Sequence, residues 1–319
     1  MNIAGNGAVL VAYVVGAAVA CAATPLARWL AVRGGALDRP NDRKVHATPL
    51  PTWGGTAIIL GFLAAALAAG AVHQMPARVF VGIMVGALLV ALVGFVDDRK
   101  EVSAHDKFAL QIICVIPLLV ADVTIKHLSN PFAPGMLDLP AWLSALVTIL
   151  WVVGVTNAIN LIDGLDGLAA GVAAISCVAL AFISLAWGQL AVAFLCAALA
   201  GAAIGFLPWN WHPATVLMGD TGAYFLGYMI AAVTIEGAFK VAAAIAIFVP
   251  LLVLAVPLLD TALSPLRRLL TGRPAFAADR EHLHHRLVAL GLSESRVVLL
   301  TYAVTAVCGG IAIWISRAG

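Results

Sequence analysis

The sequence predicts an all-α, polytopic integral membrane helix bundle of about ten transmembrane helices, ten to eleven, in a single transmembrane domain over residues 1–319. Three observations carry this expectation. The chain is 63% hydrophobic and only 11% charged, against about 25% charged residues in a soluble domain. Its apolar runs approach the ~20 residues that a helix needs to cross a bilayer. The runs are also uninterrupted, without the dyad alternation of a barrel strand, and only helices and closed barrels satisfy their own backbone in lipid.

Taken in order, the first apolar run supports a span over 8–30. No basic residue precedes it and it exceeds a typical signal-peptide core, so it reads as a retained helix. Arg28 and Arg33 follow it, the mark of an N-terminus that faces outward. The PTWGG segment (51–55) predicts a rigid turn into a second span over 55–72. Further spans are expected at 79–96, 108–123, 141–162, 168–187, 189–207, 221–236, 240–262 and 297–316, the fourth and eighth being short. Pro250 and Pro257 predict a bend in the ninth span that opens a lateral groove for a lipid tail. Between spans, 124–140 (TIKHLSNPFAPGMLDLP) is rich in turn formers, and 263–296 is the sizeable polar loop.

Charge sets the orientation. Segments 28–54, 97–107, 163–167, 208–220 and 263–296 fall on one side and hold 14 of the 18 Lys and Arg residues. Arg78, Lys126, Lys240 and Arg317 fall on the other. The positive-inside rule therefore predicts both termini outside and the basic loops in the cytoplasm. The net charge of +2 says little by itself, and no nucleic-acid-binding patch is evident. The five cysteines all fall in apolar runs without a CxxC pair and read as small buried hydrophobes.

The same orientation puts Asp97, Asp98, Asp163, Asp166 and Asp220 on the cytoplasmic face, at the ends of hydrophobic segments. Ionised residues at membrane depth are costly. Five that meet would repel one another unless cations bind between them, which points to a metal-dependent phosphate site. In DDRKEVSAHDK (97–107), Asp97 and Asp98 point ~100° apart on a helix, so one can reach a metal while the other holds a Lys or a substrate. A solvated helix end explains that pair equally well. NAINLIDGLDGL (157–168) is more specific: Asn157, Asn160, Asp163 and Asp166 recur every three residues, and Gly164 and Gly167 let the backbone approach a ligand. In MGDTGAYFLG (218–227), Asp220 either caps the eighth helix or offers an oxygen to a metal, and the two are compatible. Lys44 and His46 belong to a basic cluster in the first loop, which topogenic charge also explains. The last loop carries DREHLHHRL (279–287), where His282, His284, His285 and Arg286 fit phosphate binding better than zinc, there being no nearby Cys and no HEXXH.

Five segments, DRPNDRKVHATPLPTWGG, FVDDRK, NAINLIDGLDGL, MGDTGA and HLHHRL, in this order along nearly the whole chain, resemble the polyprenyl-phosphate N-acetylhexosamine-1-phosphate transferases (glycosyltransferase family 4). The resemblance implies a bacterial plasma-membrane, multi-pass enzyme that needs Mg²⁺, with Mn²⁺ as an alternative. Such an enzyme moves a sugar-1-phosphate from a UDP-sugar to undecaprenyl phosphate and releases UMP. HLHHRL in place of three His followed by Phe-Glu, the SNPF segment and the DRKVH loop look like the WecA/TagO-like branch, which uses UDP-GlcNAc. Ala223 departs from the Ser that is frequent after Gly-Asp-x-Gly, and ten spans depart from the eleven often drawn for this branch. Carried over residue by residue, Asp220 is the best metal ligand, with Asp163 beside it, and Asp97 or Asp98 lies near the lipid phosphate. Asp97, Asp98, Asp163 and Asp166 are the catalytic candidates. Asn160, Asp163 and Asp166 line the nucleotide and pyrophosphate side. Lys44, His46, Asn157, Asn160, His282, His284, His285 and Arg286 are the substrate-binding candidates, and a homodimer is the expected assembly. The competing expectations are a phospho-N-acetylmuramoyl-pentapeptide transferase, a UDP-GalNAc-using sibling, and a cation-coupled transporter. A transporter would place its carboxylates near the midplane and often show repeated halves; neither is visible here.

Overall fold

A computed structural model describes residues 3–38, 48–68, 74–100, 102–129, 136–238, 254–255, 257–259 and 291–318, with the single positions 251 and 287. Nine helices have described bounds: α1 (Ile3–Gly34), α2 (Gly54–Ala68), α3 (Ala77–Lys100), α4 (Ala104–Val120), α5 (Ala141–Ile162), α6 (Leu168–Ala186), α7 (Leu190–Asn210), α8 (Gly219–Ala238) and α9 (Glu294–Ala318). Each falls on one of the expected spans. The ninth expected span, 240–262, lies mostly outside the described residues, which include 251, 254–255 and 257–259 of it; Pro250 lies outside them, and the course of the bend expected at Pro250 and Pro257 with it.

Among the described residues, six helices are long and apolar enough to cross a membrane: α1, α3, α5, α6, α7 and α9. α2 and α4 are shorter, at 15 and 17 residues. α8 has the length, at 20 residues, yet it begins at Gly219–Asp220 and carries Glu236 near its end. Its position explains why it tolerates them. α8 packs against α2, α3, α5, α6 and α7, and Thr221 through Ile235 are buried without a break. A helix shielded from lipid on all sides has protein partners for its polar groups. α1 and α9 are peripheral by comparison, with about a quarter of their apolar stretch buried. Hydroxyls inside the spans are satisfied locally. Thr24, Thr148, Thr156, Thr301 and Thr305 each donate to the carbonyl four residues back, as expected where no water competes.

The all-α expectation needs one amendment, because two short antiparallel hairpins are present. β1 (Leu37–Asp38) pairs with β2 (Leu50–Pro51), and β3 (His127–Ser129) pairs with β4 (Met136–Asp138). The second hairpin lies in the 124–140 segment expected to be an irregular loop. Near it, Asp122 is approached by Lys126 at 2.7 Å and Arg78 at 3.6 Å, so two cations assigned to one face do share an end of the bundle.

β2 and the PTWGG turn set the floor of the site. Trp53 stacks on Phe95 with ring centroids 4.3 Å apart. Leu217 N–H donates to Pro51 O at 2.8 Å, and the N–H groups of Gly54 and Gly55 donate to Leu217 O and Met218 O at 3.0 and 2.8 Å. The turn is thereby laced to the segment that delivers Asp220. Where α2 and α8 begin, Gly55 and Gly222 pass so closely that a Cβ on either would meet the other's backbone.

Candidate active site

α3 runs to Lys100, four residues past the expected end of the span, so Asp97 and Asp98 occupy its last turn. Being about 100° apart, they serve different partners. Asp97 is buried; it accepts from Val102 N–H at 2.8 Å and pairs with Lys107 Nζ of α4 at 2.5 Å. Ser103 places Lys107 there. Its hydroxyl accepts from Asp106 N–H at 3.2 Å and donates to Asp106 Oδ2 at 2.7 Å, capping α4, which only three residues separate from the end of α3. Asp98 accepts from Asp220 N–H at 2.7 Å, Thr221 N–H at 3.2 Å and Thr221 Oγ1 at 2.6 Å. The cap of α8 is therefore Asp98, contributed by another helix, and Asp220 is left free to act as a ligand. Gly219, at φ +71°, permits the turn that aims these N–H groups, and a side chain there would collide with the Asp98 carboxylate.

From α5, Asn160 donates Nδ2–H to Asp220 Oδ1 at 2.6 Å. Asp220 Oδ2 lies 3.6 Å from Lys107 Nζ. Asp163 ends α5, its N–H bonded to Asn160 O, and its carboxylate has no hydrogen-bond or ion-pair partner among the described residues. Burial, then the negative charges of Asp220, Asp98 and Asp166, push the Asp163 carboxyl well above the usual carboxylate range. Asp97, Asp98, Asp163 and Asp220 thus lie close together, and Lys107 is the one ammonium among the described residues that pairs with any of them. An incompletely neutralised set of oxygen donors, Asp220, Asp163 and the Asn160 amide among them, has the chemistry of a hard divalent cation site.

The stripe expected from Asn157 to Asp166 does not run its full length. Asn157 sits a turn further into the bundle, where its amide donates to Gln111 Oε1 at 2.6 Å and Val153 O at 2.8 Å. Asp166 lies beyond the end of α5, and its carboxylate turns to the α7–α8 connection. There it accepts from Ala214 N–H at 2.9 Å and faces His212 Nδ1 at 3.1 Å. The three-residue spacing required a continuing helix, and the helix stops at Ile162. Lys44, His46, His282, His284, His285 and Arg286 lie outside the described residues.

Several residues of this end escaped sequence reading. Lys107 stood inside a quoted motif, but nothing local says that it folds back on Asp97. Thr221, Gln111, His212 and Glu294 are separated in sequence from their partners by dozens of residues. His212 offered one signal, as the sole basic side chain of the 208–220 connection.

The described helices form a bundle with amide and carboxylate side chains gathered at one end, and the comparisons with known proteins say which membrane proteins it resembles. The model for glycosyl transferase family 4 matches residues 80–238, which hold Asp97, Asp98, Asn160, Asp163 and Asp220. A probable undecaprenyl-phosphate N-acetylglucosaminyl 1-phosphate transferase of Bacillus subtilis is 37% identical over 93% of this chain and 82% of its own length. The decaprenyl-phosphate N-acetylglucosaminephosphotransferase of Mycobacterium tuberculosis is 37% identical over 88% of this chain and 76% of its own. A phospho-N-acetylmuramoyl-pentapeptide-transferase of Desulforudis audaxviator is 32% identical over 84% of each. The chain belongs to glycosyl transferase family 4, in its WecA/TagO-like branch.

Proposed function

We propose that this protein transfers N-acetylglucosamine-1-phosphate from UDP-GlcNAc to undecaprenyl phosphate, releasing UMP and starting a lipid-linked cell-envelope glycan. The observation that carries the proposal is the convergence of Asp97, Asp98, Asn160, Asp163, Asp220 and Lys107 from four helices at one end of the bundle. N-acetylglucosamine as the transferred sugar is supported by the names of the Bacillus and Mycobacterium relatives, and UDP-GlcNAc as its donor by the resemblance of His282-Leu283-His284-His285-Arg286 in the last loop to the WecA/TagO-like branch. The site faces the cytoplasm, where the basic loops lie.

An oxygen of the lipid phosphate attacks the sugar-bearing phosphorus of the donor. A new P–O bond forms, the pyrophosphate P–O bond breaks, and its electron pair leaves on UMP. Such transfer depends mainly on positioning and charge neutralisation. Asp220 and Asp163, with Asn160 beside them, would hold Mg²⁺, which supplies neutralisation of the pyrophosphate oxygens. Lys107 adds a fixed positive charge. Asp98 orders the start of α8, and Asp97 holds Lys107, so both members of the pair are engaged in ordering charge. A general base is not required of them. A phosphate monoester has its second pKa near ~6 and is largely dianionic at neutral pH.

The test is nucleotide release by purified protein with undecaprenyl phosphate and Mg²⁺, offering UDP-GlcNAc, UDP-GalNAc and UDP-MurNAc-pentapeptide separately. UMP is expected with UDP-GlcNAc alone, and is abolished by EDTA. UDP in place of UMP would overturn the mechanism. Release only with the muramoyl donor would move the protein to the sibling branch. No nucleotide from folded protein with any donor would return weight to a transporter.

A further inference from the structure

The five-residue turn 163–167 carries two of the carboxylates, and it is held from outside itself. Gly167, at φ +78°, donates its N–H to Asn210 Oδ1 at 3.1 Å and accepts from the Tyr302 hydroxyl at 2.5 Å. Asp166 is bonded by Ala214 N–H and His212, and His212 Nδ1 also lies 3.5 Å from Glu294 Oε2. Asn210, His212 and Ala214 belong to α7 and its connection to α8. Tyr302 and Glu294 belong to α9, which lies beyond the stretch that defines the family.

α9 is a peripheral helix, packed chiefly on α6. Its buried Thr301 and Thr305 hydroxyls bond its own backbone. A helix with only a packing role needs no polar reach, yet two of its side chains reach the same turn, Tyr302 directly and Glu294 through His212. α6 is shaped to admit Tyr302, because Gly171 leaves the space that the ring and hydroxyl fill, and a Cβ there would run into both. The ligand atoms of Asp166, His212 and Glu294 lie within 4.8 Å of one another. Asp166 Oδ2 already accepts from Ala214 N–H and lies 3.1 Å from His212 Nδ1, so the cluster serves as a tether.

We infer that Tyr302 and Glu294 are positioning residues: α9 fixes the Asp163–Asp166 turn, and so sets the affinity for the nucleotide-sugar donor. This rests on the proposal above that the turn lines the nucleotide and pyrophosphate side. The lipid acceptor, placed near Asp97 and Asp98, is the control substrate.

The experiment is steady-state UMP release by the full-length protein and by Tyr302→Phe and Glu294→Gln, varying UDP-GlcNAc and undecaprenyl phosphate in turn. The loss of one hydrogen bond is expected to raise KM for UDP-GlcNAc roughly five- to tenfold, with kcat and the acceptor KM moving less than about twofold. In parallel, amide hydrogen exchange across residues 164–168 is expected to quicken about tenfold in Tyr302→Phe. A lower melting temperature with unchanged donor KM and unchanged exchange would overturn the inference and leave α9 a packing element. Equal loss of kcat at constant KM would overturn it as well. If the parent protein releases no UMP from any donor, the functional proposal fails instead, and the exchange measurement still decides whether Tyr302 holds the turn.

Discussion

Asp220 and Lys107 are the residues whose chemistry the structure makes most specific. Asp220 receives one amide hydrogen bond, from Asn160, and its second oxygen lies 3.6 Å from an ammonium that is already closer to Asp97. Under the proposed function, replacing Asp220 by Asn removes a charge that would hold the divalent cation. Activity is expected to fall on the order of a hundredfold or more, with weaker Mn²⁺ binding read by electron paramagnetic resonance. Lys107→Met leaves Asp97 buried beside other carboxylates. Lys107 is about one-third exposed and Asp97 is almost fully buried, so the cost falls between the surface and interior cases, at about 2 kcal/mol. Chemical unfolding in detergent should show that loss. The double variant Lys107→Met with Asp97→Asn should regain stability without regaining UMP release, because the fixed positive charge is still missing.

Helix starts decide the geometry at the next scale. The N-terminus of α8 is capped in trans by Asp98, and its four free N–H groups would otherwise sit among buried residues. Asp98→Ala is expected to cost about 1–2 kcal/mol, as for loss of a cap, and to move Asp220, so stability and turnover fall together. α6 and α9 meet at Gly171, where the neighbour is the Tyr302 side chain. Gly171→Ala should cost about 1–3 kcal/mol by overpacking, seen as a lower thermal midpoint.

For the whole molecule, the orientation proposed from the basic loops has a direct test. In a background without the five native cysteines, a cysteine at 103 is expected to react with an impermeant maleimide from the cytoplasmic side only, and one at 137 from the opposite side only. Reversal would place the carboxylates on the outer face and separate them from cytoplasmic nucleotide-sugars. α8 shows why the bundle tolerates its charges. Along its length it packs against five helices, while α1 and α9 turn apolar side chains outward, with Leu10, Val14, Val307 and Trp314 exposed.

Helix positions were legible in the sequence because lipid imposes one requirement on every span: apolar side chains over a bilayer's width and a self-satisfied backbone. α5 is found at 141–162, where its apolar run stands, and every described helix lies on an expected span. The gathering of carboxylates was legible for a related reason, since charge in such a chain is confined to its ends. What each carboxylate touches was decided by tertiary structure alone. Asp98 caps a helix 122 residues away, Asp97 holds a lysine of the following helix, and Asp166 leaves the stripe because α5 ends before it. Those outcomes depend on which helix ends abut and at what angle. That is set by glycine contacts such as Gly55 against Gly222 and by the rotation of each helix about its axis, neither of which a local pattern of residue types records.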